Sequence, residues 1–168
     1  YVRCGAKNYL RVVVSNGYRN DMFPLSTDMD LTGGIFRDVE IMATPKNIIS
    51  PLHHSTDGVY VVQHSVTNQR VIGAVRCYVS ATTTDQASLE MRIINQYGYS
   101  VYSRTIRATK LSHESLVDIP FEILDPALWS PSTPNMYRVE VVLNDGVHKD
   151  VVTVNTGFRK VSITKDNR

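Results

Sequence analysis

The stretch Tyr137-Arg138-Val139-Glu140-Val141-Val142-Leu143-Asn144-Asp145-Gly146-Val147 decides the fold. Tyr137, Val139, Val141 and Leu143 alternate with Arg138 and Glu140, so an extended chain here has one apolar and one polar face. Asn144-Asp145-Gly146 then reverses the chain onto Val147, because Asp-Gly readily takes the positive φ angles of a tight hairpin. The same period recurs outward from this hairpin. Val75, Cys77 and Val79 alternate with Arg76, Tyr78 and Ser80, and Leu89, Met91 and Ile93 alternate with Glu90 and Arg92. No window of a dozen residues holds a helical stripe, so the chain is predicted to be all-β.

Thr44-Pro45-Lys46-Asn47 marks a boundary, since proline breaks a ladder and polar residues separate two strand-rich blocks. After it, strands are predicted near 48–54, 59–66, 73–81, 87–94, 99–106, 114–123, 136–144, 147–154 and 158–164. Short strands at this spacing suggest an antiparallel sandwich. Before it, Leu10, Val12 and Val14 predict a strand over 9–15 that ends at Asn16-Gly17. A second strand over 35–43 has Ile35, Val39 and Ile41 on one face, and a polar stretch over 18–32 lies between the two. Arg37 falls on the apolar side of that strand, where a buried guanidinium needs a carboxylate or carbonyl partner.

At 168 residues the chain accommodates one domain and a remnant of another. Apolar residues at 42% and charged residues at 20% place it among folded globular chains rather than disordered ones. A net charge of +2 with scattered Lys and Arg forms no basic stripe, which argues against nucleic acid as a partner. No apolar run approaches the ~20 residues that span a bilayer, and residues 1–30 do not read as an export signal. Any such signal, for a periplasmic or secreted parent, is expected in a longer precursor. Cys4 and Cys77 match neither a redox pair nor a zinc spacing, and Cys77 is expected to be a buried structural thiol.

Three further stations stand in order: Gly33-Gly34-Ile35-Phe36-Arg37-Asp38-Val39; then Leu128-Trp129-Ser130-Pro131 with Pro134-Asn135-Met136-Tyr137; then Gly157-Phe158-Arg159. Together they resemble glycoside hydrolase family 2, and its β-galactosidase-type members in particular. The likeness spans nearly the whole chain. It implies that residues 1–45 are the tail of an amino-terminal sugar-binding jelly roll. Residues 46–164 would be the immunoglobulin-like sandwich that follows, and 165–168 the start of a linker to a catalytic (β/α)8 barrel. In the family that barrel carries the acid/base and nucleophile glutamates, the former directly after an asparagine. No Asn-Glu pair occurs here.

Retaining glycosidases need two carboxylates about 5–5.5 Å apart, one protonated and one ionised. Glu40, Glu90, Glu114, Glu122 and Glu140 mostly lie in alternating strands, where solvent-facing roles are the default, so no catalytic residue is expected in this chain. The resemblance does single out Asp28. In the family's β-galactosidases an acidic residue at this place reaches the barrel pocket, near galactose and a bound cation. A carboxylate suits that task through strong hydrogen bonds to hydroxyls or ligation of a hard cation. Met29-Asp30-Leu31-Thr32-Gly33 departs from members with aromatic residues there, and Asp28 with Asp30 also reads as a solvated loop. For the parent the resemblance implies Na or Mg; for this chain no cofactor or metal is expected.

His53-His54 does not read as a metal site, because neighbouring side chains on a strand point to opposite faces. His64, His113 and His148 are isolated. No Gly-x-Ser-x-Gly elbow and no phosphate-cradling glycine loop occurs. Trp129, between Pro126 and Pro131, is expected to plug the open end of the sandwich rather than stack on sugar. The sequence therefore predicts a noncatalytic spacer. Its partners would be the barrel and the rest of the jelly roll in a longer chain, with carbohydrate as that protein's substrate and a homo-oligomer as one possible assembly. The alternative is a stand-alone immunoglobulin-like adhesion or carbohydrate-binding module, which an exposed aromatic row would favour.

Overall fold

The computed structural model describes residues 2–15, 34–35, 37–82, 87–108, 111 and 114–162. The chain divides into two compact units, Tyr1–Ala43 and Thr44–Arg168.

The second unit is built from β1 (Ile48–Ile49), β2 (Val59–Val66), β3 (Arg70–Ser80), β4 (Ala87–Ile94), β5 (Ser100–Ala108), β6 (Ser115–Leu124), β7 (Tyr137–Asn144) and β8 (Lys149–Thr156). In one sheet β3 is central, with β1 and β2 along one side and β6 along the other. The second sheet runs β5-β4-β7-β8. All pairings are antiparallel. The predicted all-β sandwich is thus the observed architecture, of the immunoglobulin-like kind.

The alternation seen in the sequence becomes the inward face. Val71, Val75, Cys77 and Val79 of β3 meet Leu89, Met91 and Ile93 of β4, Ile119, Phe121 and Ile123 of β6, and Val139, Val141 and Leu143 of β7 in one buried cluster. Each such side chain contributes about 1.5–3 kcal/mol on full burial. Gly73 lies opposite Phe121 in the ladder, and a Cβ there would stand 2.7 Å from the ring. The missing side chain therefore makes room for the aromatic. Among the described residues β6 pairs only with β3, which lets this edge strand carry Pro120. The Pro120 carbonyl accepts hydrogen bonds from Tyr102 Oη (3.1 Å) and Arg104 Nη1 (3.4 Å) of β5, latching the two sheet edges together.

Four predicted strands differ. The segment 48–54 is a strand only at Ile48–Ile49, because Pro51 lacks the next donor; the chain then turns through a short 3₁₀ element, His53–Ser55. Residues 157–162 are not a strand, since β8 leaves its ladder where Thr156 meets Tyr137, the first residue of β7. In the first unit, the described residues of 9–15 and 35–43 form no strand. Leu10, Val12, Val14, Ile35, Val39 and Ile41 are exposed, and so is Arg37, which is not buried on an apolar side. A strand exists only through the neighbour that pairs its backbone, and among the described residues of this unit none does so.

Cys77 is fully buried while Cys4 is exposed. Burial, with a smaller contribution from Asp118, pushes the Cys77 thiol up to about 12. A thiol reagent at neutral pH is expected to titrate Cys4 at once and Cys77 only after denaturation. Rapid modification of both in the native protein would contradict this packing.

Candidate functional site

The sandwich is most elaborated at its two poles, where the chain enters and leaves it. At the exit, the ladder of β2 slips between Gln63 and Ser65, leaving His64 as the extra, exposed residue of a bulge. Gln63, paired with Gly73, stands on the inward side of its sheet, where an amide needs hydrogen-bond partners. It finds them in the departing chain: Nε2 donates to the Gly157 carbonyl (3.3 Å), and Oε1 accepts from Arg159 N (3.2 Å).

Between these contacts Phe158 is fully buried, its ring centroid 4.8 Å from that of Tyr137 and 5.9 Å from that of Phe121. Trp129 N donates to the Phe158 carbonyl (2.8 Å), and the Arg159 guanidinium lies 5.0 Å from the Trp129 ring centroid, a cation–π distance. Gly157 is needed where it is, since a Cβ would stand 2.8 Å from the Trp129 ring. Phe158 therefore fills this pole, and the half-buried Trp129, expected to plug it, instead grips the outgoing strap. The period of β2 counts Gln63 inward, which was the one sequence signal for the clamp; the bulge that aims it was not legible.

The entrance pole is held by carboxylates. Asp150 Oδ2 accepts from Ile49 N (2.7 Å), and Asp145 Oδ2 accepts from Asn47 Nδ2 (2.8 Å). Asn47 Oδ1 in turn accepts from Thr82 N (3.0 Å). Asp145 also closes the β7–β8 turn, its Oδ1 accepting from Val147 N and His148 N, with Gly146 at φ +89° as the Asp-Gly signal required. These donors, His148 N first, then the Asn47 side-chain amide and Val147 N, hold the Asp145 carboxyl down at about 2. A depressed carboxylate lends stability above its unfolded value, near 3.9, and loses it as pH falls through the folded one. Asp145→Asn is accordingly expected to flatten the loss of stability between pH ~4 and ~2 in acid titrations of thermal unfolding. An unchanged acid limb would refute the role. Asp150 and Gly157 lie at opposite ends of β8, about 23 Å apart at the strand rise.

The remaining candidates separate. Asp28 lies outside the described residues. Glu90 and Glu140 both pair with Arg92, Glu122 pairs with Arg70 (3.6 Å), and Asp118 makes a two-pronged contact with Arg76 at 3.0 and 3.2 Å. These are solvent-facing pairs on sheet surfaces, worth about 0.2–1 kcal/mol each. Glu114 and Glu40 are exposed. Among the described residues no three His, Cys, Asp or Glu side chains gather as metal ligands.

His53 and His54 sit on the 3₁₀ turn rather than a strand, with ring centroids 4.2 Å apart, so the opposite-faces argument does not apply. His53 stacks on Tyr78 and its Nδ1 bonds Tyr60 Oη (2.9 Å). Desolvation, then the neighbouring His54, lowers its pKa. His64 and His148 are exposed, and His113 lies outside the described residues.

Comparison with known proteins gives this geometry a context. The chain is 33% identical over 162 residues to a beta-glucuronidase of Bacteroides fragilis, covering 94% of this chain and 23% of that protein. It is 26% identical to a beta-galactosidase of Leuconostoc mesenteroides over 94% of this chain and 15% of the other. Among solved structures it matches a Bacteroides fragilis protein provisionally assigned as a beta-galactosidase, with a TM-score of 0.81 at 25% identity over 89% of this chain and 23% of that one. The Bacteroides uniformis beta-glucuronidase matches with a TM-score of 0.72 at 27% identity, over 84% and 18% respectively. The chain thus spans a quarter or less of the length of these relatives. The profile of glycosyl hydrolases family 2 matches residues 57–159, most of the sandwich and more than half of the chain. By that match the chain belongs to family 2 of the glycosyl hydrolases.

Proposed function

We propose that this chain is the noncatalytic sandwich module of a family 2 β-glycosidase, a stiff spacer that sets the pose of a sugar-binding domain against a catalytic barrel. The observation that carries the reading is the pinning of the segments that enter and leave the sandwich at its opposite poles: Asn47 and Ile49 by Asp145 and Asp150, and Gly157–Arg159 by Gln63 and Trp129. A spacer must transmit position, and a misplacement of about 1 Å at a reacting centre can cost on the order of a hundredfold in rate. In this reading residues 1–45 belong to a jelly roll whose other strands would cover Leu10, Val12, Val14, Ile35, Val39 and Ile41. Asp28 would reach toward the barrel pocket.

The sugar of the whole protein is a β-galactoside by motif resemblance. The higher identity to a beta-glucuronidase supports a β-glucuronide as the second reading. The test is turnover of chromogenic β-galactoside and β-glucuronide by two proteins: the 168-residue chain, and a version continued into the barrel encoded after it. Hydrolysis by the longer protein alone, of one of the two substrates, is the expected result. Hydrolysis by the short chain would overturn the spacer role. Failure of Asp28→Asn to raise KM in the longer protein would remove Asp28 from the site.

A further inference from the structure

The exit pole carries a second feature that the spacer role does not use. Beside the β4–β5 turn, against the segment that links β6 to β7, lies a cavity of about 130 Å³, bordered by Asn95, Gln96, Tyr97, Asp125, Asn135 and Met136. We infer that this cavity is a binding site for one neutral pyranose unit, with Tyr97 as the stacking surface and Asn95, Gln96 and Asp125 as the hydroxyl contacts.

The turn that presents Tyr97 is rigid. Asn95 Oδ1 accepts from both Tyr97 N and Tyr99 N at 3.0 Å, Gly98 N donates to the Asn95 carbonyl (2.9 Å), and Asn95 N donates to the Tyr99 carbonyl (2.9 Å). Gly98 takes φ +86° to close it. Tyr97 is nonetheless 75% exposed, an ordered aromatic face with nothing on it among the described residues. Such a ring loses little conformational entropy on binding, which is what a stacking surface requires.

The polar floor is equally fixed, and incompletely used. Asn135 Nδ2 donates to the Leu128 carbonyl (2.9 Å), which turns its Oδ1 toward Gln96 Nε2 (3.0 Å). These bonds leave the Asn95 Nδ2 donors, the Gln96 Oε1 acceptor and the Asp125 carboxylate without a hydrogen bond among the described residues. Asp125 is held in the left-handed region at φ +46°, its N donating to the Gln69 carbonyl (2.8 Å). Aspartate tolerates that conformation better than most residues, yet it still costs free energy that the fold must over-determine.

A ligand that matches must bring both C–H surface for Tyr97 and Met136 and hydroxyls for donors and acceptors set close together. A sugar ring has that character. An apolar segment of another protein would strand the three polar groups, each costing about 1–3 kcal/mol if buried unpaired. The sign of charge narrows the class further. Among the described residues Asp125 is the one charged group lining the cavity, with no Lys or Arg there, so a uronate would be repelled. The site stands whether or not the sandwich acts as a spacer.

Titration of the isotope-labelled 168-residue chain with methyl β-galactoside, methyl β-glucoside and glucuronate, followed by amide NMR, tests it. Saturable millimolar shifts are expected in the Asn95 and Gln96 side-chain amides and the Tyr97 backbone. Tyr97→Ala should weaken binding about tenfold or more, about 1.4 kcal/mol. Glucuronate should bind about tenfold more weakly than the neutral sugars, and Asp125→Asn should remove that difference. The proposal fails if shifts do not saturate, if glycerol reproduces them, if they map elsewhere, or if glucuronate binds equally well. It also fails if Tyr97 and Tyr99 shift on dilution of the protein alone, which would make this face a contact between copies of the chain.

Discussion

Phe158→Ala is expected to lower the unfolding free energy by about 3–5 kcal/mol, the usual loss for a fully buried phenylalanine. Against a total of about 5–15 kcal/mol for a domain, that places the variant near the edge of folding. Phe158 lies outside every strand, yet it is fully buried and touches the rings of both Phe121 on β6 and Tyr137 on β7. Truncation therefore opens a cavity between the two sheets rather than at a rim. Tyr137 would lose its packing neighbour while its Oη still accepts from Ala127 N (2.8 Å), so the segment behind Trp129 should loosen as well. Urea midpoints at constant slope give the loss, and Phe158→Leu should recover most of it. Val151→Ala, at a position 54% exposed, is the control and should cost less than about 0.5 kcal/mol. A loss below about 1 kcal/mol for Phe158→Ala would show that the outgoing chain is laid on the sandwich rather than inserted into it.

How far the sequence foretold this arrangement depends on what kind of interaction sets each part. β2 to β8 were legible because half-buried strands write their inward face at period two, and Asp145-Gly146 needed no distant information to form a turn. The strands expected over 9–15 and 35–43 carry the same alternation, yet their described residues form none. Alternation reports a face to be buried, not the presence of the strand that pairs with it. Phe158 was read as part of a strand because a buried aromatic in a strap looks like a buried aromatic in a ladder. The clamps at Gln63, Asp145 and Asp150 join residues about a hundred positions apart through single side chains. No local pattern records such contacts, although an inward-counting glutamine was a hint. The tyrosine-edged cavity was missed for a related reason. Tyr97 and Asp125 come together only once the ends of β4 and β6 meet at one pole.

Gln63→Ala is expected to speed hydrogen exchange at the Arg159 amide by about 10–100-fold while leaving the Val139 and Val141 amides in the core unchanged. The Arg159 N–H donates to Gln63 Oε1, and each hydrogen bond of this kind contributes about 0.5–1.5 kcal/mol net, with more lost when a half-buried group is stranded. Every 1.4 kcal/mol taken from the closed state is a factor of ten in local opening. Gln63→Glu divides the clamp into its halves: a carboxylate still accepts from Arg159 N but cannot donate to the Gly157 carbonyl, so protection at Arg159 should largely survive. Gly157→Ala attacks from the other side, because its Cβ must push Trp129 aside and with it the ring beneath the Arg159 guanidinium. The expected pattern is a local change in exchange with a small change in melting temperature, since the core strands are untouched. Stiffness of this strap is the property that a spacer needs. An Arg159 amide that exchanges freely in the parent sequence, or one indifferent to Gln63→Ala, would mean that the exit is not pinned, and the positioning role would fall with it.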